Sequence, residues 1–76
     1  MRVEVSAYSG YKANERPAAF SLEGRSYRVV EVLDQWYDPD GVYFKVRADD
    51  QNLYILRCHI PSDTWSLESF RKASSR

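Results

Sequence analysis

Little in this chain is built for catalysis, metal binding or covalent bracing: its 76 residues include one cysteine and one histidine. A lone Cys58 cannot form an internal disulfide, and with His59 it supplies too few ligands for a tetrahedral metal site. Net charge is also missing. Eleven basic and eleven acidic residues cancel, so no overall field draws the molecule to nucleic acid or an anionic membrane, and any such affinity must come from a local patch. No apolar run is long enough for a signal peptide or a membrane span. The expected location is cytoplasmic, and neither a cofactor nor a metal is implied. No internal repeat and no helical period of any length is visible.

What is present points to a small folded β domain. A chain of 76 residues is one domain, near the size at which roughly 60% of the unfolded surface can be buried. The hydrophobic fraction of 43% and aromatic fraction of 14% suit a globule rather than a disordered chain. Six tyrosines and two tryptophans favour sheet. Charge is unevenly spread. Residues 25–50 hold four basic side chains against six acidic ones, and residues 51–76 hold four against two.

Asp38-Pro39-Asp40-Gly41 is the strongest local signal. Proline pre-sets φ at the first loop position, and a left-handed Gly41 would close a three-residue hairpin loop, pairing Asp38 with Val42. Asp49-Asp50-Gln51-Asn52 is expected to close likewise, with Asn52 left-handed. Between and beyond these turns, Val42, Phe44, Val46 and Ala48 alternate with Tyr43, Lys45 and Arg47, and Tyr54, Leu56, Cys58 and Ile60 alternate with Arg57 and His59. That is the period of strands with one buried face. A third loop at residues 61–64 would return Trp65 and Leu67 to the same side. The resulting core face holds Val32, Trp36, Phe44, Val46, Ala48, Tyr54, Leu56, Cys58, Ile60, Trp65 and Leu67, with Asp34 as its one charged member.

Residues 1–24 form an amino-terminal arm and loop. Val3, Val5 and Ala7 read as a short strand, Phe20 and Leu22 as the start of another, and Glu23-Gly24 as a tight turn. Residues 8–17 are a long polar loop of the kind that often carries function. A meander over 25–70 and a frayed tail at 71–76 complete the single domain. The expected fold is an all-β antiparallel meander of five to six strands, curled into a roll or a partly open SH3-like barrel.

The same registers put three rows on the outer face: Tyr37, Tyr43, His59, Ser66; then Gln35, Lys45, Arg57, Glu68; then Leu33, Arg47, Ile55, Phe70. The third row is too apolar to be left in water. Either the amino-terminal arm covers it, or it binds a protein partner or a second copy. The partner-binding candidates are therefore Leu33, Ile55 and Phe70, with Tyr8, Tyr11, Lys12 and Arg16 of the loop. An alternative uses Tyr37 and Tyr43 with Lys45, Arg47 and Arg57 for single-stranded nucleic acid, by base stacking and phosphate contact. Glu68, Glu31 and Asp49 at the margin would repel phosphate. Catalysis is not expected. Adjacent residues on a strand leave opposite faces, so Cys58 and His59 cannot act as nucleophile and base, and a sheet face offers no oxyanion pocket near His59 and Ser66. Asp38-x-Asp40-Gly41 echoes a calcium loop but lacks its other ligands and distal glutamate.

Several segments together resemble a family of small uncharacterised bacterial proteins described as cytoplasmic. They are Tyr8-Ser9-Gly10, Glu15-Arg16-Pro17, Glu31-Val32-Leu33-Asp34 with Trp36-Tyr37, residues 43–50, Tyr54-Ile55-Leu56-Arg57, and Trp65 with Leu67 and Phe70. The likeness covers most of the chain and implies no established activity. Cys58-His59-Ile60-Pro61 departs from that pattern, which is more acidic there. A looser likeness, over residues 30–70, is to small modules found near bacterial translesion-polymerase-like proteins and implies a link to DNA repair. The reading that follows is a non-catalytic binding module.

Overall fold

The computed structural model describes residues 2–7 and 16–72. Six strands follow one another in chain order: β1 (Arg2–Ala7), β2 (Pro17–Leu22), β3 (Arg25–Asp38), β4 (Gly41–Ala48), β5 (Leu53–His59) and β6 (Thr64–Arg71). Each pairs antiparallel with the next, and β6 returns to pair with β1, so the sheet closes into a barrel. The wall is continuous through β1, but residues 31–38 of β3 pair with β4 alone among the described residues. The expected tail begins later than the sequence implies, because β6 runs through Arg71.

Alternation locates the core. Val42, Phe44, Val46 and Ala48 of β4 and Tyr54, Leu56 and Cys58 of β5 are all buried, as their period requires. Val3 of β1, Phe20 of β2 and Val29 of β3 complete the interior. Each large apolar side chain there contributes about 1.5–3 kcal/mol. The strands β1 and β2 of the amino-terminal arm thus complete the barrel wall, and residues 8–15, the loop expected to lie over the outer face, are outside the described residues. β1 lies between β2 and β6, pairing Val5 with Phe20 and Val3 with Trp65.

β3 departs most from simple alternation, for a reason its sequence contains. Residues 25–28 pair with β2, whereas residues 29–38 pair with β4. The strand must therefore bend from one partner to the other. Two irregularities do this, one between Val29 and Glu31 and one between Val32 and Asp34, leaving Val30 and Leu33 without partners on β4. A bulge adds one residue and sharpens the local bend and twist. The apolar doublets Val29-Val30 and Val32-Leu33 are its trace: the first member of each turns inward, and the second is exposed, at 57% and 39%.

The hairpin registers differ from those expected. Asp38 pairs with Gly41 and Tyr37 with Val42, so the β3–β4 loop is Pro39-Asp40 alone. Gly41 is not left-handed: among the described residues the only glycine with positive φ is Gly24. Instead, a Cβ on Gly41 would lie 2.4 Å from the Cys58 carbonyl oxygen and 3.2 Å from Arg57 Nη2. Glycine is needed there for close approach, not for backbone conformation. Asp38 tightens the loop by accepting the Asp40 N–H at 3.0 Å.

This one-residue change flips β3 relative to β4. Trp36 moves to the outer face, against Tyr43, and Asp34 is exposed, accepting the Gln35 N–H at 2.8 Å. At the next turn the loop is Asp49-Asp50-Gln51, with Gln51 rather than Asn52 left-handed at φ 75°. The β5–β6 loop spans residues 60–63, pairing His59 with Thr64 and leaving Ile60 40% exposed rather than in the core. Glu23 and Gly24, with φ of 51° and 83°, form the tight turn foreseen between β2 and β3.

Candidate functional site

The corrected registers dissolve the outer rows and build different ones. Trp36 pairs with Tyr43, Tyr43 with Arg57, and Arg57 with Ser66. The Trp36 and Tyr43 rings stack with centroids 5.3 Å apart and planes 6° from parallel. Arg57 lies over the Tyr43 ring at 5.6 Å and reaches across Gly41 to Asp38, with Nη2–Oδ2 at 3.1 Å and Nε–Oδ2 at 3.2 Å. Partial burial alone would raise the Asp38 carboxyl, but hydrogen bonds from Arg57 and from the Asp40 N–H outweigh it and hold its pKa below the usual value. The same contact raises Arg57.

Of the nucleic-acid candidates, Arg57 is therefore engaged by Asp38 and Arg47 by Glu31. Lys45 stands between Asp34 and Ile55. Tyr37 is 62% exposed but sits on the other side of β3 from Tyr43, opposite Val42, with its hydroxyl accepting from Gln35 Nε2 at 2.8 Å.

The apolar row does not assemble either. Leu33 occupies a bulge on β3, Ile55 lies opposite Ser69, and Phe70 packs on Tyr54 at 5.1 Å. Arg16 is exposed. Tyr8, Tyr11 and Lys12 lie outside the described residues.

Two features were not anticipated. The first is an edge. On the side of β3 away from β4, none of the described residues pairs with residues 31–38. Val30, Leu33, Trp36 and Tyr37, all substantially exposed, accompany that edge. The apolar doublets were its available signal, because they mark where β3 leaves β2.

The second is an open cleft of about 540 Å³ at the end of the barrel near the β4–β5 turn. Tyr54 is 3% exposed and Phe70 49%, so Tyr54 forms its floor and Phe70 a wall. Tyr27 also packs on Tyr54, with centroids 5.6 Å apart, and Phe20 supports both tyrosines from the core. At the rim, Asp50 Oδ2 accepts the Tyr54 hydroxyl at 2.6 Å and Asn52 Nδ2 at 3.1 Å, while Oδ1 accepts the Asn52 N–H at 3.0 Å. These bonds outweigh the effect of burial and lower the Asp50 pKa. Burial and the hydrogen bond to Asp50 raise that of Tyr54. Glu23 and Arg25 complete the rim.

His59 serves a local role: its Nδ1 and the Ser62 hydroxyl are 2.6 Å apart, and Ser62 and Thr64 hydroxyls 2.8 Å. Ser66, the expected neighbour of His59, instead donates to Glu68 at 2.7 Å. The Cys58 thiol is buried, and burial raises its pKa. Among the described residues no three His, Cys, Asp or Glu side chains gather to hold a metal, and no helix is long and apolar enough to cross a membrane. No protein-family model, curated protein or solved structure matches the chain.

Proposed function

We propose that this barrel is a non-catalytic binding module that takes an extended, basic segment of a protein partner as an added strand along residues 31–38 of β3. The observation that carries the reading is the pairing of that stretch with β4 alone among the described residues. A row of backbone donors and acceptors at a sheet edge is a template for another strand. Val30, Leu33 and Tyr37 beside it offer apolar contact, which supplies side-chain specificity to main-chain pairing.

Charge selects the partner. Glu31, Asp34 and Asp38 all lie on this stretch; Arg47 holds Glu31 and Arg57 holds Asp38, which leaves the exposed Asp34 as the carboxylate without an ion pair among the described residues. Two copies paired through the same edge would bring these carboxylates together, and like charges across an interface are costly. A basic strand meets no such penalty. The nucleic-acid alternative has fewer available cations than the sequence suggests, because Arg47 and Arg57 already hold carboxylates.

The test uses alternating Lys-Val and Glu-Val peptides of equal length, with backbone amide exchange read residue by residue. The Lys-Val peptide is expected to slow exchange of alternate amides in residues 31–38, more weakly at high salt, and Leu33→Ala to weaken it by removing apolar contact. Equal binding of both peptides, or binding without protection of those amides, would overturn the reading. Strongly salt-dependent binding of labelled single-stranded DNA or RNA, without peptide binding, would favour the alternative.

A further inference from the structure

The cleft beside the β4–β5 turn is independent of the β3 edge, and it combines aromatic walls with an uncompensated carboxylate. Among the described residues, Asp50 has hydrogen-bond donors but no cationic partner. Glu23 adds a second carboxylate to the rim, against Arg25 as the one basic residue lining it. Tyr27 and Phe70 flank the buried Tyr54, so a group entering the cleft meets aromatic surface on more than one side.

We infer that this cleft binds an alkylated ammonium group, with Tyr27, Tyr54 and Phe70 contacting its alkyl shell and Asp50 and Glu23 supplying the counter-charge. Three arguments select this chemistry. A cation against aromatic faces is attracted by the negative charge of each π-face, and an alkylated ammonium is more easily stripped of water than a bare one. A neutral apolar occupant would shield Asp50 from water and give nothing in return, which is unfavourable for an ionised carboxylate. An anionic occupant such as a phosphate would face two carboxylates with only Arg25 to offset them. The Tyr54 hydroxyl and Asn52 also fix the Asp50 carboxylate in place before a ligand arrives, which reduces the ordering cost of binding. The lowered pKa of Asp50 agrees with a carboxylate that stays ionised.

The ammonium could belong to a free quaternary amine or to a methylated lysine side chain, and the probes separate these sources. The full chain is titrated with choline, with a short peptide carrying trimethyl-lysine, with the same peptide carrying unmodified lysine, and with 3,3-dimethylbutanol, the uncharged counterpart of choline. Amide and aromatic NMR shifts are the readout. Shifts centred on Tyr27, Asp50, Tyr54 and Phe70 are expected with choline or the trimethyl-lysine peptide, and the tighter of the two identifies the source. Dimethylbutanol should bind about tenfold or more weakly. Phe70→Ala, at a half-exposed position, should leave the fold intact and weaken the cationic probes by a similar factor, and Asp50→Asn should narrow the gap between charged and neutral probes. Equal binding of choline and dimethylbutanol, shifts elsewhere on the barrel, unchanged affinity in Phe70→Ala, or no saturable binding by either quaternary probe would each overturn the inference.

Discussion

The two ends of β4 carry similar residues put to opposite uses. Near the β3–β4 turn, two aromatic rings, an arginine and an aspartate form a closed set: Trp36 stacks on Tyr43, Arg57 covers Tyr43, and Asp38 holds Arg57. Near the β4–β5 turn, aromatic rings and an aspartate form an open set. Tyr27 and Phe70 stand around Tyr54, and Asp50 is met by a hydroxyl and an amide instead of a cation. Composition alone does not distinguish a braced surface from an available site. What distinguishes them is whether each charge has a counter-charge.

Removing the support of the open set should have the largest effect. Phe20 is 2% exposed and touches both Tyr27 and Tyr54. Phe20→Ala is expected to cost about 3–5 kcal/mol, the range for emptying an aromatic site in a core, and to release the cleft rings with it. Urea unfolding measures the loss, and the near-ultraviolet tyrosine signal reports the rings. A loss below about 1 kcal/mol would mean that the two tyrosines do not depend on the core beneath them.

Gly41→Val attacks the closed set and ranks next. Its Cβ would meet the Cys58 carbonyl at 2.4 Å and the guanidinium of Arg57 at 3.3 Å or less, so β4 and β5 must separate and Arg57 must leave Asp38. Overpacking of this kind costs about 1–3 kcal/mol or somewhat more. Gly24→Ala is the control. It has nothing within 4 Å of a new Cβ and suffers only from φ of 83°, for about 1–2 kcal/mol. A larger loss at Gly24 than at Gly41 in urea melts would show that backbone conformation, not close approach, governs both glycines.

Tyr54→Phe removes the hydroxyl that orders Asp50 and keeps the buried ring. A hydrogen bond to a charged group contributes about 1.5–3 kcal/mol, with the lower end expected at a site open to water. The pH dependence is more specific. Asp50 has a folded pKa below its ordinary value of 3.8, so its contribution is present above that value and is lost as pH falls below it through the folded pKa. Tyr54 has a folded pKa above its ordinary value of 10.0, so its contribution is present below pH 10 and is lost as pH rises beyond it. Tyr54→Phe should therefore flatten both limbs of the stability profile. Unchanged limbs in melts between acid and alkaline pH would mean that the hydroxyl and carboxylate are not coupled.

The sequence discloses the core of β4 and β5 plainly, because Val42 to Ala48 and Tyr54 to Cys58 keep strict alternation. It discloses β3 poorly. The two-residue loop before Gly41 turns both Trp36 and Asp34 to the outer face, and two bulges then bring Val32 and Val29 back to the core, so the apolar pattern is plausible in either register. Asp-Pro-Asp-Gly is also ambiguous on its own. The glycine suits a left-handed loop position as well as a paired position facing a backbone carbonyl, and only contact with Cys58 decides between them. The cleft depends on residues from three hairpins, at 27, 50–54 and 70, whose juxtaposition follows from closure of the barrel. No spacing within one segment announces it. Of the outer-face candidates, Leu33 and Phe70 are exposed, but they belong to different surfaces.

The smallest effects should come from the outer face of the closed set. Trp36→Ala loses one stacked cross-strand pair, about 0.2–1 kcal/mol, because Trp36 is already 37% exposed and its removal opens no cavity in the core. The pair Arg47–Glu31 is weaker still: its side chains are 36% and 51% exposed, and exposed ion pairs contribute about 0–1 kcal/mol and less in salt. Glu31→Gln should leave stability nearly unchanged and should make Arg47 available. If the proposed edge recruits a basic strand partly through Glu31, the same substitution should weaken binding of the Lys-Val peptide and remove part of its salt dependence. A marked loss of stability with binding unchanged would reverse that assignment, making Glu31 a brace of the barrel wall and leaving Asp34 as the acidic residue that selects the partner.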